Sequence, residues 1–458
     1  MEKSIPVKKS VGIVISGLLL IATNPLLSQE IISASQIGQL TGQPSMNNTG
    51  SVNVYGTDLG SMFLHSNGKI YFLFGDTFGS PGPPSSSGYW RSNTMAFTTD
   101  TTASDGIIFD AWITDSSGMA KALVEGDHAP NDGTGEVTKI VTAGFSVGQR
   151  QFIWFMSVKQ WGNPGQWEVN YSKIAYSDDN GNTWNLTEIQ HTDTSNFIQV
   201  AVAAHNGYLY IWGIPAGRFG SVKLARVLPG DILDGSSYQY YNGSGWSNNE
   251  NDAVIIVPSP VGELSVIWNP YLQSWLMMYL NENKACIEAR FAPQPQGPWS
   301  APETVVCSDR YPALYGAYMH EKYMDNNGET VYFLMSQYGP YNVFLMKAKF
   351  RRKETGLSEA DSSVPDDYPA LLPNYPNPFN PTTTLRYRLG RPAFVTIEIF
   401  NPKGERIAVL LNESRPKGNG QIVWYGKNEA GEPVAPGIYI CKMTAGMFSS
   451  ARKLVLIR

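Results

Sequence analysis

Asp58 stands in Gly-Thr-Asp-Leu-Gly and Asp76 in Gly-Asp-Thr-Phe, at the two ends of a stretch that reads as a hairpin. Tyr55 to Leu64 and Ile70 to Phe74 carry strand patterns, and His65-Ser66-Asn67-Gly68 between them has the composition of a turn. The second strand, I-Y-F-L-F, is apolar throughout, as a strand buried on both faces is. Gly56, Gly60 and Gly75 allow the backbone to bend or approach closely where the carboxylates sit. A hairpin that brings two carboxyl groups together supplies an acid and a base, or an acid and a nucleophile. The competing reading is that each aspartate caps a turn at a strand end, as single aspartates in G-D and T-D dipeptides usually do.

The elements that would position this pair repeat along the chain. Five times an aromatic-rich strand is followed by a second strand carrying alanine: Ile70–Phe74 with Ala96, Gln151–Met156 with Ala175, Tyr208–Trp212 with Ala225, Trp275–Tyr279 with Ala289, and Val331–Met335 with Ala348. A further strand-like run precedes each pair, at Ser51–Tyr55, Val137–Ala143, Phe197–Ala203, Glu263–Trp268 and Leu314–Met319. Successive alanines lie 50 to 79 residues apart. This spacing fits four-stranded blades, so the expected fold is all-β, a five-bladed β-propeller over residues 29–350. A two-sheet sandwich with long loops is the alternative. Ser177-Asp-Asp-Asn-Gly-Asn-Thr-Trp184 matches the Asp-box pattern S-x-D-x-G-x-T-W of sialidases and related propellers. Its role is a hairpin turn: Asp179 accepts from turn amides, Gly181 takes a left-handed conformation and Trp184 packs beneath.

Composition narrows the function. Of 458 residues only 16% are charged and the net charge is -5, so a phosphate-binding face is absent and nucleic acid is not an expected partner. Twelve Trp, 24 Tyr, 44 Gly and 30 Pro suit a turn-rich β protein whose aromatic rings also match the C–H faces of sugars. Three cysteines make no disulfide framework. Cys286 and Cys307 could pair, and Cys441 reads as an unpaired, buried thiol. No His/Cys/Asp spacing marks a zinc site, and no P-loop, G-x-S-x-G or dinucleotide fingerprint occurs. No cofactor is expected; a propeller axis can accommodate Ca²⁺, and no residue singles itself out as its ligand.

The two ends are separate units. Lys3, Lys8 and Lys9 precede an apolar run from Val11 to Ala22, and Leu26-Leu27-Ser28 resembles a cleavage site. Residues 1–28 therefore read as a signal peptide, too short in its apolar part to span a bilayer, leaving no membrane span in the mature protein. Residues 351–370 are a polar, charged linker. Residues 371–458 carry strand signals at Thr384–Leu389, Ala393–Phe400, Gly420–Trp424, Gly437–Thr444 and Arg452–Ile457, a small immunoglobulin-like β-sandwich. The run Asn374-Tyr-Pro-Asn-Pro-Phe-Asn-Pro and the later Pro436-Gly-Ile-Tyr resemble the type A sorting domain of the type IX secretion system. That resemblance implies a Gram-negative bacterium, type IX machinery as a partner, and a secreted or cell-surface location.

With G-T-D-L-G, Y-F-L-F-G-D-T-F and W-R-S-N in this order, residues 50–350 resemble domain-of-unknown-function family 4185. Part of that family is classed as glycoside hydrolase family 183, endo-D-arabinanases on a five-bladed propeller. The specific motifs sit in the first blade. The resemblance implies that Asp58 and Asp76 are the catalytic pair of a retaining hydrolase cleaving furanosidic linkages of arabinan-type polysaccharide. In such a pair one carboxyl group protonates the leaving oxygen and the other attacks the anomeric carbon; separations of about 5–5.5 Å retain configuration and ~6.5–9.5 Å invert it. Asp76, at the end of the apolar strand, has the more desolvating neighbourhood and leans towards the acid.

Around this pair the expected substrate-binding residues are Trp90, Arg91, Ser92 and Asn93, with Arg91 holding one carboxyl ionised or else pairing with a blade edge, and Ser92 and Asn93 binding sugar hydroxyls. Glu263, Trp268 and Asn269 flank an inner strand and face the axis on this reading. Trp161 and Trp167, in a Gly/Pro loop, are candidate sugar platforms. His65 and His205 occupy equivalent turns and read as structural, while His128 and His320 stand alone. The alternative function is a non-catalytic surface propeller that binds glycan or protein, which needs no acid pair. A sialidase is disfavoured, with one Asp box and no arginine triad. The sugar, endo or exo action and the oligomeric state are not encoded in any motif.

Overall fold

The structure, a computed structural model, describes residues 29–81, 88–352, 369–372, 374, 376–446 and 448–457. The expected signal peptide and most of the expected linker lie outside the described residues. The chain divides into two units, one ending at Glu354 and the other starting at Thr355. Among the described residues no helix is long and apolar enough to cross a membrane.

The first unit is built around five larger antiparallel sheets in chain order and also holds a two-stranded ribbon of Thr77–Phe78 and Trp90–Arg91. Sheet one holds Leu59–Leu64, Ile70–Phe74, Thr94–Thr98 and Ala111–Trp112. Sheet two holds Thr138–Val147, Arg150–Trp161, Trp167–Ser177 and Asn185–Thr192. Sheet three begins Gln199–His205, Tyr208–Ile214 and Gly220–Val227, and continues into short strands at Gln239–Tyr241 and Trp246–Ser247. Sheet four holds Leu264–Asn269, Ser274–Asn281, Cys286–Ala292 and Glu303–Cys307. Sheet five holds Leu314–Asp325, Thr330–Gln337 and Asn342–Arg352, and its fourth strand is Gln29–Gln39 from the start of the described chain.

The first strands of the sheets touch in a cycle. Sheet one meets two, two meets three, three meets four, four meets five, and five returns to one. Apolar residues fill the layers between neighbours: Phe63, Leu73 and Met95 pack with Val141 and Phe155 between sheets one and two. Trp212, Leu224 and Val266 fill the layer between three and four. Leu59 and Phe72 pack with Phe333 and Leu334 where five meets one.

The five alanines singled out by the repeat are all buried and all sit in third strands. Each faces a large residue of the second strand: Phe72 opposite Ala96, Ile153 opposite Ala175, Ile211 opposite Ala225, Met278 opposite Ala289 and Val331 opposite Ala348. A small residue there leaves room for the bulky partner of the adjoining layer. Four of the five preceding runs overlap first strands. The exception is Ser51–Tyr55, where Thr49–Val52 forms a 3-10 turn; the first strand of sheet one is Leu59–Leu64.

The Asp-box residues form the expected turn. Thr183 donates to Asp179 from its amide and hydroxyl at 2.8 and 2.7 Å, Gly181 has φ 88°, and the Trp184 indole donates to Gly181 O at 3.0 Å. Cys286 and Cys307 are disulfide-bonded across neighbouring strands, and Cys441 is a free, buried thiol.

The second unit holds two sheets over one core containing Phe379, Val395, Ile397, Trp424 and Tyr439. Strands Thr383–Leu389, Ala393–Phe400, Gly418–Trp424, Gly437–Ala445 and Phe448–Leu456 fall at or near the expected positions. Arg406–Arg415, an edge strand with five of its ten residues polar or charged, carries no apolar alternation and was not expected. Phe379 of the Pro/Asn-rich run is buried against Trp424 with ring centroids 5.5 Å apart.

Gln29–Gln39 pairs with Asn342–Arg352 and completes sheet five. Without it Asn342–Arg352 becomes an open edge. Deleting residues 29–40 is expected to cost several kcal/mol at about 1 kcal/mol per lost hydrogen bond. The readouts are melting temperature and soluble yield; an unchanged melt would show that the ring closes without this strand.

Candidate active site

The hairpin of sheet one sets its two acids side by side at one end. Asp58 immediately precedes Leu59–Leu64 and Asp76 follows Ile70–Phe74, with Leu59 opposite Phe74 and the Gly75 amide donating to Asp58 O at 3.1 Å. Both aspartates line one cavity of about 840 Å³, to which all five sheets contribute. The connection between second and third strands lines this cavity in every sheet. It supplies Asp76 in sheet one, the 162–166 loop in two, Arg218 in three, Glu282 in four, and Tyr338 and Tyr341 in five.

Backbone strain gathers here. Leu59, Ala285, Ala313 and Tyr341 have φ of 67, 48, 52 and 65°, and all four line the cavity. Side chains rarely tolerate that region, and such residues persist where surrounding structure fixes them. At Leu59 the fixing contact is its amide, which donates to Ser336 Oγ at 2.8 Å.

Asp58 receives the Tyr315 hydroxyl on Oδ2 at 2.9 Å, while its Oδ1 is buried without a hydrogen-bond partner. Burial pushes its carboxyl up to about 7. The Tyr315 and Tyr341 hydroxyls oppose that rise, Glu263 adds to it and Arg218 opposes it. Asp76 is 4% exposed. Its Oδ1 accepts both the Trp90 indole N–H at 2.7 Å and the Thr138 hydroxyl at 2.6 Å. Burial pushes Asp76 up to about 8, against those two donors and with help from the negative charges of Asp58 and Glu125. Such acids exchange a proton near neutral pH, as catalytic carboxyl groups do.

Arg218 is the cation of this cavity. Its Nε and Nη2 both lie 2.8 Å from Glu263 Oε1, and its Nη1 lies 3.4 Å from Glu282 Oε2. The guanidinium stands 4.8 Å from the centre of the Tyr315 ring and 5.8 Å from that of Trp167. Glu263 is 7% exposed, and its Oε2 has no partner. No motif pointed to Arg218 or the cavity tyrosines. The one sequence signal for Arg218, Tyr338 and Tyr341 is position, since each follows an aromatic-rich second strand, as Asp76 does; Tyr315 and Tyr318 lie on the first strand of sheet five.

Of the residues expected to bind substrate, Trp90 and Glu263 line the cavity with the pair, as do Trp161 and Trp167. Arg91, Ser92, Asn93 and Asn269 do not line it and are fully buried. The Arg91 guanidinium donates to the carbonyls of Ala120, Asn53 and Tyr89. Ser92 donates to Glu125 at 3.0 Å and accepts from the Gly126 amide. The Asn93 amide group bonds four times to the backbone of Leu123, Val124 and Lys139. Asn269 bridges Gly328 O and the Leu272 amide. Apart from Arg91 Nε, their side-chain polar atoms bond to protein, so the substrate-binding role expected of Arg91 and Asn93 is corrected: they brace the ribbon Thr77–Phe78/Trp90–Arg91 from within. Trp268, 36% exposed, lines a second cavity of about 290 Å³ that contains neither aspartate. His65 is buried and bonds Ser146 at 2.9 Å, in keeping with a structural turn. Among the described residues no group of three or more His, Cys, Asp or Glu is placed to hold a metal ion.

Gly75 tests the geometry. A Cβ there would lie 2.3 Å from Asp58 Oδ1 and 3.1 Å from Leu59 Cδ1, so Gly75→Ala must displace the carboxyl group. Displacements of this size cost about 10²-fold in turnover. The expected result is a loss of that order in any activity of the pair, with circular dichroism unchanged. Full activity in Gly75→Ala would show that the Asp58 position is not critical.

The family model described as a domain of unknown function, DUF4185, matches residues 44–347, and the FlgD Ig-like domain model matches 380–447. Notoamide biosynthesis cluster protein J of Aspergillus sp. (strain MF297-2) is 28% identical over 305 residues, covering 62% of this chain and 80% of that protein. Notoamide biosynthesis cluster protein J' of Aspergillus versicolor is 30% identical over 289 residues, covering 58% and 76%. A crystal structure of a putative hydrolase from Bacteroides ovatus ATCC 8483 aligns with TM-score 0.47 and 12% identity over 65% of this chain and 86% of that one. The extent of the first match, two thirds of the sequence and every sheet of the cycle, shows that the chain belongs to the DUF4185 family.

Proposed function

We propose that this chain is a secreted retaining glycoside hydrolase acting on furanosidic linkages of arabinan-type polysaccharide, its five-sheet cycle being a five-bladed β-propeller. The observation that carries this reading is the pair of buried carboxyl groups, Asp58 and Asp76, raised to about 7 and about 8 in one cavity walled by Trp90, Trp161 and Trp167. An indole N–H only donates, so Asp76 Oδ1 is an acceptor and a neutral Asp76 carries its proton on Oδ2. Asp76 is the general acid on this assignment and Asp58, steadied by Tyr315, is the nucleophile.

Asp76 gives its proton to the glycosidic oxygen as the bond to the anomeric carbon breaks, and an oxygen of Asp58 forms the glycosyl ester. Asp76, now ionised, takes a proton from water; the resulting oxygen attacks the anomeric carbon and the Asp58 ester bond breaks, restoring both carboxyl groups. Glu263 and the tryptophans bind the sugar, the first through its hydroxyls and the others through C–H faces.

A second reading keeps the acid pair and changes the substrate. Leu59, Val137, Ile140, Met156, Leu280 and Leu314 give the cavity aliphatic walls, and the fungal relatives are named for a notoamide biosynthesis cluster. On that reading the pair moves protons on an apolar small molecule.

Export is assigned to residues 1–28 as signal peptide and to 371–458 as a type IX sorting domain, the latter supported by the match to an Ig-like module.

The test is a screen of the purified chain on D-arabinan, L-arabinan and related polymers, with Asp58→Asn and Asp76→Asn. Each substitution is expected to lower turnover by about 10²–10⁴-fold with the melting temperature nearly unchanged. Activity should rise as pH passes about 7, where Asp58 ionises, and fall above about 8, where Asp76 loses its proton. Wild-type hydrolysis by both variants would remove Asp58 and Asp76 as the catalytic pair. Polymer binding without hydrolysis would favour a non-catalytic surface propeller. For the tail, deletion of residues 371–458 in the native host is expected to leave a folded first unit in the periplasm; its appearance outside the cell would remove the sorting role.

A further inference from the structure

Arg218 has no assigned part in the chemistry above, yet it is the one cationic side chain among the described residues that line the cavity. It reaches Glu263 and Glu282 of sheet four by ion pairs and Tyr315 of sheet five by its π face. Its own amide donates to Gly165 O at 2.8 Å, in the loop between Trp161 and Trp167, and its guanidinium faces the Trp167 ring. Tyr315 in turn donates to Asp58. The chain of contact therefore runs from the tryptophan loop through Arg218 and Tyr315 to one member of the acid pair, linking sheets two, three, five and one.

We propose that Arg218 is a positioning residue for Asp58: its guanidinium, locked between two glutamates, fixes the Tyr315 ring so that its hydroxyl meets the carboxyl group, and it holds the Trp167 platform in the same arrangement. A planar fork suits this task. It bonds two carboxylates in its plane and leaves its faces free to stack on rings, which an ammonium cannot do.

The charge also distinguishes the two aspartates. The groups facing Asp58 are Tyr315, Tyr341, Glu263, Arg218 and Asp76; only Arg218 is cationic, and it opposes the rise of Asp58. Asp76 faces Thr138, Trp90, Asp58 and Glu125, with Arg218 not among its partners. One cation thus favours an ionised Asp58 beside a protonated Asp76, the division of labour that the hydrolytic cycle needs.

The kinetic arm of the test rests on the glycosidase reading; the spectroscopic arm does not. The full chain is labelled with ¹³C at aspartate carboxyl carbons, and the Asp58 signal is assigned by its loss in Asp58→Asn. Arg218→Met is expected to move the Asp58 midpoint upward by about one unit, the lower end of the effect of a nearby opposite charge, with the Asp76 midpoint moving less. Arg218→Lys keeps the charge and loses the fork. It should hold the Asp58 midpoint near the wild-type value while lowering kcat about tenfold on any polymer hydrolysed, an effect of ~1.4 kcal/mol. An unchanged Asp58 midpoint in Arg218→Met overturns the proposal. If that variant does not fold, a wild-type kcat in Arg218→Lys overturns it. Shifted midpoints in a protein that hydrolyses no polymer would leave Arg218 in this role and remove the glycosidase reading alone.

Discussion

The cost of burying two carboxyl groups at one end of one hairpin governs the arrangement around them. An ionised carboxylate taken out of water must be compensated or it takes up a proton. Here compensation is partial. Asp76 has two donors on a single oxygen, and Asp58 has one donor on one oxygen and none on the other. Full satisfaction would give two inert carboxylates; none would give two inert acids. The donors come from three places: Trp90 on the ribbon, Thr138 in sheet two and Tyr315 in sheet five. The half-compensated state therefore exists only when the ring of sheets is complete.

Much of the scaffold was legible because strand pairing leaves a local trace. Large apolar residues in second strands demand small ones opposite, and the five alanines record that demand one by one. The aspartates were legible because glycine must stand where carboxyl groups crowd the backbone, as Gly75 does against Asp58. Arg218 was not legible. Its partners lie 45 and 64 residues downstream, and Tyr315 is 257 residues from Asp58, so nothing local announces them. The reverse error occurred at Arg91, Ser92 and Asn93. Polar residues beside a candidate acid look like ligands in a string of letters, whereas here backbone carbonyls and amides of neighbouring loops take up their bonds. The strand Gln29–Gln39 was missed for a similar reason: only Gln29 of its eleven residues is buried, so no apolar pattern marks it, and its partner is more than 300 residues away.

The cavity joins chemistry that is strongly polar to walls that are strongly apolar. Tyrosines and tryptophans suit both, since such a side chain joins an apolar ring to a hydroxyl or N–H that can donate. Tyr315 does both at once, facing Arg218 with its ring and Asp58 with its hydroxyl. Such residues carry the electrostatics of the pair without adding charge to the cavity.

The closure of sheet five by the earliest described strand gives the molecule an order in time as well as in space. Synthesis and secretion deliver a chain from its N-terminus, and Gln29–Gln39 emerges with no partner until Asn342–Arg352 follows. Tyr315, Ser336 and Tyr341 belong to the same late stretch, so the groups that tune Asp58 and steady Leu59 arrive after four sheets are already made. A nascent or interrupted chain thus carries both aspartates without the groups that face Asp58, and the cavity is complete only once the last strands of the ring have left the ribosome.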